Sequence, residues 1–304
     1  MSEFIVETHQ LTKSYADKKV LDNLTLQLEP GLVHGIVGNN GAGKSTLLKI
    51  LLGLSSADSG SSQIMHCDSQ TIKPALRTAI GYINADYQLP EHLNISQLAQ
   101  LQKAHFVDWD QALFEQIIAS IDVNQKHHVG QLSRGQKTSV NLALTMAQKP
   151  KLLILDEPTA GLDMSSQQFV FDMLLTNDYF EKHTILYCTH RSEELERIAD
   201  NVVVLNNGKL VAQGDVNHII NQVSHWRVCF DSPFKQLSTV PGLLSSRLMD
   251  DVYYFSVNSF AGDLTDFFNQ NTAAEVQQIQ PNFAKAVAAL TNTTTTRVKL
   301  AGEV

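Results

Sequence analysis

The sequence predicts an α/β fold: a mixed sheet interleaved with helices, a helical insertion, and a small α+β domain at the C-terminal end. Three observations carry this expectation. A short apolar strand at residues 34–37 runs into a glycine-rich loop and then into a helix with apolar periodicity that stops at Gly53. Two uninterrupted apolar runs, at residues 152–155 and 184–188, have the composition of strands buried on both faces, as in parallel sheets. After about Gly214 the pattern changes to short alternating runs, which reads as a separate domain.

Residues 4–28 alternate in short runs with turn signals at Asp17-Lys18 and Pro30-Gly31, and predict edge strands. Residues 94–147 are mostly helical in pattern, with Ile95, Leu98 and Leu101, then Leu113, Ile117, Ile118 and Ile121, at spacings of three and four. Residues 201–205 and 209–212 predict a hairpin about Asn206-Asn207-Gly208. Beyond these, strands are expected at 223–230, 245–248, 252–257 and 275–279, with helices at 264–268 and 283–290. The expected division is a large domain over 1–220 with its helical part near 90–147, a small α+β domain over 221–290, and a loose tail over 291–304 rich in threonine.

The 304 residues are 43% hydrophobic and 18% charged, an ordinary globular balance that supports a sizeable core. The net charge of −8 argues against a nucleic-acid partner, because phosphate contacts call for a basic face. The three cysteines show no CxxC pairing and no histidines at metal-binding spacing, so neutral thiols in a reducing compartment are expected. The amino terminus has no basic start followed by an apolar run, and no stretch approaches the ~20 apolar residues of a membrane span. The expectation is a chain soluble by itself that reaches a membrane only through a partner.

Two motifs carry chemistry. Residues 38–45 fit G-x-x-x-x-G-K-S, with Gly38, Asn39, Asn40, Gly41, Ala42, Gly43, Lys44 and Ser45, followed by Thr46. Glycines let backbone N–H groups turn inward around phosphate oxygens, and the following helix adds its positive end. Lys44 is expected on the β- and γ-phosphates of ATP, and Ser45 on Mg²⁺. The second motif is the strand at 152–155 ending in Asp156 and Glu157. Carboxylates at the carboxyl end of a buried strand sit where ligands bind in α/β sheets. Asp156 is expected to hold Mg²⁺, directly or through water, and Glu157 to act as general base toward the attacking water.

With those motifs in place, Leu132-Ser133-Arg134-Gly135-Gln136 resembles the signature sequence of ABC ATPases, with Arg134 where the family usually has another glycine. Residues 158–163, ending in Asp163, are similar to the family's D-loop. His190 resembles its switch histidine, and Tyr15 the aromatic that stacks on adenine. Over about residues 4–220 the chain therefore resembles P-loop NTPases of the ABC type. One position departs from the pattern. After Ile80-Gly81-Tyr82 the family has a glutamine that reaches Mg²⁺ and the attacking water, and here Ala85 stands there, with Asp86 beside it as the expected substitute.

The resemblance implies ATP and Mg²⁺ as cofactors and hydrolysis with Glu157 and His190 as catalytic residues. It also implies a head-to-tail dimer in which Ser133, Arg134, Gly135 and Gln136 touch ATP held by the other subunit, with Asp163 communicating across the interface. The implied partners are a second copy and a separate integral membrane permease, at the cytoplasmic face of the cell membrane. The drug-, antibiotic- and lipid-exporter subgroup is the one the core looks most like. Two alternatives stay open: an importer ATPase with a C-terminal regulatory domain, and a soluble ABC ATPase without a transport role.

Overall fold

The computed structural model describes residues 4–86, 88–175, 183–234 and 236–291. Of the tail expected over 291–304, Thr291 is the buried last residue of a helix, and 292–304 lie outside the described residues.

The chain opens with β1 (Val6–Tyr15) and β2 (Lys18–Leu28), an antiparallel pair with several register shifts. β3 (Val33–Val37) then leads through the glycine loop into α1 (Lys44–Leu51). β4 (Ser59–Ile64) and β5 (Cys67–Asp68) complete an antiparallel sheet of order β2-β1-β4-β5. After α2 (Pro74–Arg77) and β6 (Ile80–Asn84) comes the helical insertion, α3 (Ile95–His105), α4 (Gln111–Ser120) and α5 (Arg134–Met146). β7 (Leu152–Asp156), α6 (Met164–Leu175), β8 (Thr184–Thr189), α7 (Ser192–Ile198), β9 (Asn201–Asn206) and β10 (Lys209–Gly214) follow.

The central sheet has the order β10-β9-β3-β8-β7-β6, parallel throughout except for β10. The hairpin that joins β9 to β10 turns at Asn207 and Gly208 with φ of 47° and 77°, the left-handed pair that an Asn-Gly turn accommodates. Strand periodicity divides the sheet's side chains between two cores. Leu152, Ile154, Leu186 and Cys188 face α1 and the antiparallel sheet. Leu153, Leu155, Ile185 and Tyr187 face the helical side. The same alternation of two puts Asp156 on the α1 face, beside the glycine loop.

A third sheet follows α8 (Val216–Asn221): β11 (Val223–Phe230), β12 (Leu243–Met249), β13 (Val252–Asn258) and, after α9 (Thr265–Gln270), β14 (Ala273–Ile279), all antiparallel in the order β12-β13-β11-β14. One face of this sheet, with Trp226, Val228, Phe255 and Val257, packs with Leu264 and Phe268 into its own aromatic core. The last helix, α10 (Phe283–Thr291), departs from the expected division. The sequence reading put residues 283–290 in the small domain. Instead Phe283, Ala286, Val287 and Leu290, one stripe at helical spacing, are buried in the core of the ATP-motif domain. The helix lies against α7, α8 and β9. Burying Phe283 and Leu290 there contributes about 1.5–3 kcal/mol each. The chain thus leaves the large body at α8, builds the third sheet, and returns.

Candidate functional site

The glycine loop joins the carboxyl end of β3 to α1. Gly41 and Gly43 have φ of 82° and 106°, which side-chain-bearing residues rarely adopt. A methyl group at Gly38 would collide with the carbonyl oxygen of Leu205, so that glycine is fixed by close approach of backbone. α1 begins with no side-chain cap and no acidic residue in its first turn. Its first N–H groups are therefore left to an anion. Lys44 is 6% exposed, and its ammonium curls back over the loop, 2.7 Å from the carbonyl oxygen of Gly38 and 3.5 Å from that of Asn39. It also lies 3.8 Å from Glu157 Oε1.

β7 delivers the two carboxylates to this loop. Asp156 is 8% exposed, and its Oδ1 is buried with no hydrogen-bond partner. Burial pushes its carboxyl above the usual range, and a hydrogen bond from Ser45 and the charges of Lys44 and Lys49 pull the other way. A buried carboxylate with one unsatisfied oxygen, beside the Ser45 hydroxyl, fits Mg²⁺, which takes one or two protein oxygens and fills its shell with phosphate and water. Glu157 sits one residue on, at φ 53°, a left-handed conformation uncommon outside glycine and typical of strained functional positions. Its N–H donates to the Cys188 carbonyl at 2.9 Å. Its Oε2 lies 2.8 Å from His190 Nδ1. Lys44, Ser45, Asp156, Glu157 and His190 are thus brought together.

A buried glutamate that the sequence reading missed organises the backbone around this pair. Glu194, on α7 and 3% exposed, accepts from Thr159 Oγ1 at 2.7 Å, Thr189 Oγ1 at 2.9 Å and Tyr187 OH at 3.1 Å. Arg191 closes the fourth side at 3.0 Å. Thr159 follows Glu157 by two residues and Thr189 precedes His190, so one side chain ties both catalytic segments. Its signal in the sequence was only an acidic residue in a helix four positions after His190, which reads as a solvated face.

Asn84 was missed as well. In the parallel pairing of β6 with β7 it stands opposite Asp156. Its amide donates to Tyr82 OH at 3.2 Å, while its Oδ1 is buried without a partner. Ala85 gives only its N–H, to the Asp156 carbonyl at 3.1 Å. Asp86 is exposed in the turn that follows, where it lines a groove of about 520 Å³ together with Glu91, Arg134 and Lys137.

The signature residues occupy the start of α5. Ser133 and Gln136 form a reciprocal capping box: the Gln136 N–H donates to Ser133 Oγ at 3.2 Å, and the Ser133 N–H to Gln136 Oε1 at 3.0 Å. Their hydrogen bonds do not reach residues 38–46. Gly135 lets α6 approach, since a methyl there would meet Ser166 Oγ. The Arg134 guanidinium lies over Gly161 of the D-loop-like segment, whose φ of 70° favours glycine. Asp163 opens α6 by accepting from Ser165 Oγ, the Ser166 N–H and Ser166 Oγ, which together lower its carboxyl to about 2. Tyr15 ends β1, 48% exposed as a residue, with Lys13 5.4 Å from its ring centroid.

Residues 21–160 match the family described as ABC transporter. The chain is 31% identical to the Nod factor export ATP-binding protein I of Cupriavidus metallidurans, over 71% of this chain and 73% of that protein. It is 30% identical to the L-arabinose transport ATP-binding protein AraG of Geobacillus stearothermophilus, over 72% of this chain but only 45% of that protein, so the chain spans less than half of that relative. Among solved structures it superposes on an ATP-binding subunit of an ABC transporter with a TM-score of 0.63 at 26% identity, covering 72% of this chain and 92% of the other. The family match spans the glycine loop, Asp156 and Glu157. The chain belongs to the ATP-binding protein family of ABC transporters.

Proposed function

We propose that this chain hydrolyses ATP to drive export through a separate membrane-spanning permease, cycling through a dimer that closes on two ATP molecules. The observation that carries the hydrolytic part is the cluster at the carboxyl end of β7, where Glu157 is held by His190 at 2.8 Å and faces Lys44 at 3.8 Å. In this reading Lys44 exchanges the carbonyls of Gly38 and Asn39 for β- and γ-phosphate oxygens, and the free N–H groups of α1 take the rest of the phosphate chain. That exchange frees Glu157 from the ammonium to accept the proton of the attacking water, with His190 fixing the orientation of its carboxylate. Mg²⁺, held by Ser45 and Asp156, supplies charge neutralisation on the phosphate oxygens when bound. Asn84 Oδ1, beside Asp156, takes over the polar role that Ala85 lacks. Asp86, in the exposed turn, faces the groove where the family's membrane subunit is expected. Tyr15 stacks on adenine.

The dimer supplies Ser133, Arg134, Gly135 and Gln136 to the neighbour's ATP, with Asp163 at the interface. Among the described residues no helix is long and apolar enough to cross a membrane; in this reading the permease is a separate chain, and this one works at the cytoplasmic face of the cell membrane. Similarity to an export protein over 73% of its length favours export. The import reading rests on similarity, at 31% identity, to galactose/methyl galactoside import ATP-binding proteins and, at 30%, to AraG, each matched over less than half of its own length.

The test is Glu157→Gln. It is expected to bind ATP, to lose about 10²–10⁴-fold in turnover, and to run as an ATP-dependent dimer in light scattering. An unimpaired turnover overturns Glu157 as base. Co-purification of the same variant from ATP-treated membranes identifies the permease, and recovery without a membrane-spanning partner overturns the transport reading.

A further inference from the structure

The second face of the C-terminal sheet, opposite its aromatic core, is covered by α10 incompletely. Between them lies a cavity of about 510 Å³, within the range of small-molecule sites. Its sheet wall is set by register: His225 stands beside Ser256 on β13 and Ile279 on β14, and Tyr254 beside Arg247 on β12. Its helix wall carries Lys285.

The polar groups of this cavity converge with one sign. Arg247 and Lys285 both line it, and neither makes an ion pair among the described residues. No aspartate or glutamate lines it, although the chain as a whole carries a charge of −8. Two unpaired cations at one concavity of an acidic protein call for an anion. His225 adds a second, independent sign. Its Nδ1 shares a hydrogen bond of 2.9 Å with Ser256 Oγ, while its Nε2 is buried with no partner, a cost that a bound group relieves. Burial, then the charge of Lys285, hold this imidazole below its ordinary value and so neutral. When Ser256 donates to Nδ1, Nε2 carries the proton and is itself a donor to an oxygen. Ile279 and Ala289 give the cavity an apolar part.

Helix α10 connects this cavity to the ATP site. One face of the helix lines it. The last turn reaches the nucleotide side, where Asn206 Nδ2 donates to the Leu290 carbonyl at 3.5 Å and Asn39 Nδ2 to the Thr291 carbonyl at 3.4 Å. Asn39 belongs to the glycine loop itself. A ligand that draws α10 toward the sheet therefore changes the setting of that loop, and by linkage a nucleotide on the loop changes the affinity for the ligand by the same factor.

We propose that the cavity between the C-terminal sheet and α10 is an effector site for a small organic anion, a carboxylate, sulfonate or phosphate on an apolar body, gripped by Arg247, Lys285 and His225 and coupled through α10 to the glycine loop. The coupling half rests on nucleotide binding at that loop, and the binding half does not.

The experiment is a fluorescence titration of the full chain with 1-anilinonaphthalene-8-sulfonate, an aromatic anion, and with its uncharged counterpart N-phenyl-1-naphthylamine, each with and without saturating ADP. One sulfonate is expected per chain, bound about tenfold more weakly by Arg247→Ala/Lys285→Ala, with the neutral probe unaffected by the substitutions. ADP is expected to shift the sulfonate affinity by about fivefold without abolishing binding. Both substituted residues are exposed, so an unchanged melting temperature is expected, and the single charge reversal Lys285→Glu provides a second variant. Sulfonate binding that is indifferent to both variants, or abolished outright by ADP, overturns the site. Charge-dependent binding that ADP leaves unshifted overturns the coupling.

Discussion

Removing the Glu194 carboxylate tests whether one buried side chain holds both catalytic segments. Glu194→Ala deprives three hydroxyls, on Thr159, Tyr187 and Thr189, of their acceptor and leaves Arg191 without its ion-pair partner. Tyr187 remains a donor in the native protein, because burial and then the charge of Glu194 raise its phenol well above the ordinary value. After truncation Thr159 Oγ1 and Tyr187 OH, 3.5 Å apart, can re-pair, which leaves Thr189 as the hydroxyl without compensation. An unsatisfied buried hydroxyl costs about 1–3 kcal/mol, and breaking a buried charged network costs about 3–5 kcal/mol in all. Glu194→Gln keeps one acceptor oxygen and is expected to cost about 1–2 kcal/mol. Urea unfolding reads the stability, and parallel measurements of ATP affinity and turnover read the site. Turnover is expected to fall further than affinity, since Thr159 and Thr189 flank Glu157 and His190 while the glycine loop is untouched. The reasoning is refuted if Glu194→Ala costs less than about 1 kcal/mol or if turnover simply tracks affinity.

Three further outcomes are expected. Because burial raises the Asp156 carboxyl, its ionised form opposes folding above the ordinary value of 3.8 and its protonated form does not. Asp156→Asn should therefore raise the melting temperature of the nucleotide-free protein at pH 7, with the gain vanishing as pH falls below that value, while Mg²⁺-dependent nucleotide affinity is lost; a lower melting temperature at pH 7 contradicts this. Asn84→Leu removes the orphaned oxygen opposite Asp156 and should weaken Mn²⁺ binding to the ADP complex, read by electron paramagnetic resonance, without lowering stability. An unchanged Mn²⁺ affinity removes Asn84 from the site. Gly38→Ala drives a methyl into the Leu205 carbonyl; overpacking of this kind costs about 1–3 kcal/mol, and thermal melting together with ATP affinity should show both losses.

Local patterns were sufficient for much of this protein. The strand–glycine loop–helix unit, the apolar strand ending in Asp156 and Glu157, and the Asn207-Gly208 turn each depend on backbone geometry within a few residues, and such geometry restricts residue type directly. The capping box of Ser133 and Gln136 is local in the same sense, and it makes part of the signature a helix start in its own right. What could not be read locally depends on neighbours far apart in the chain. Asn84 acquires meaning only because β6 pairs with β7 in a register that sets it against Asp156. Glu194 does so only because α7 folds back over residues 159 and 189, so that a helix-borne carboxylate becomes a buried hub. The expectation for Asp86 came from its place beside Ala85, yet strand alternation turns Asn84 inward and leaves the turn residue exposed. The helix at 283–291 was legible as an amphipathic helix, but a stripe of Phe283, Ala286, Val287 and Leu290 matches any apolar surface. Only the tertiary structure decided that this stripe returns to the nucleotide-binding body, because burial rewards the largest complementary apolar face within reach rather than the nearest in sequence.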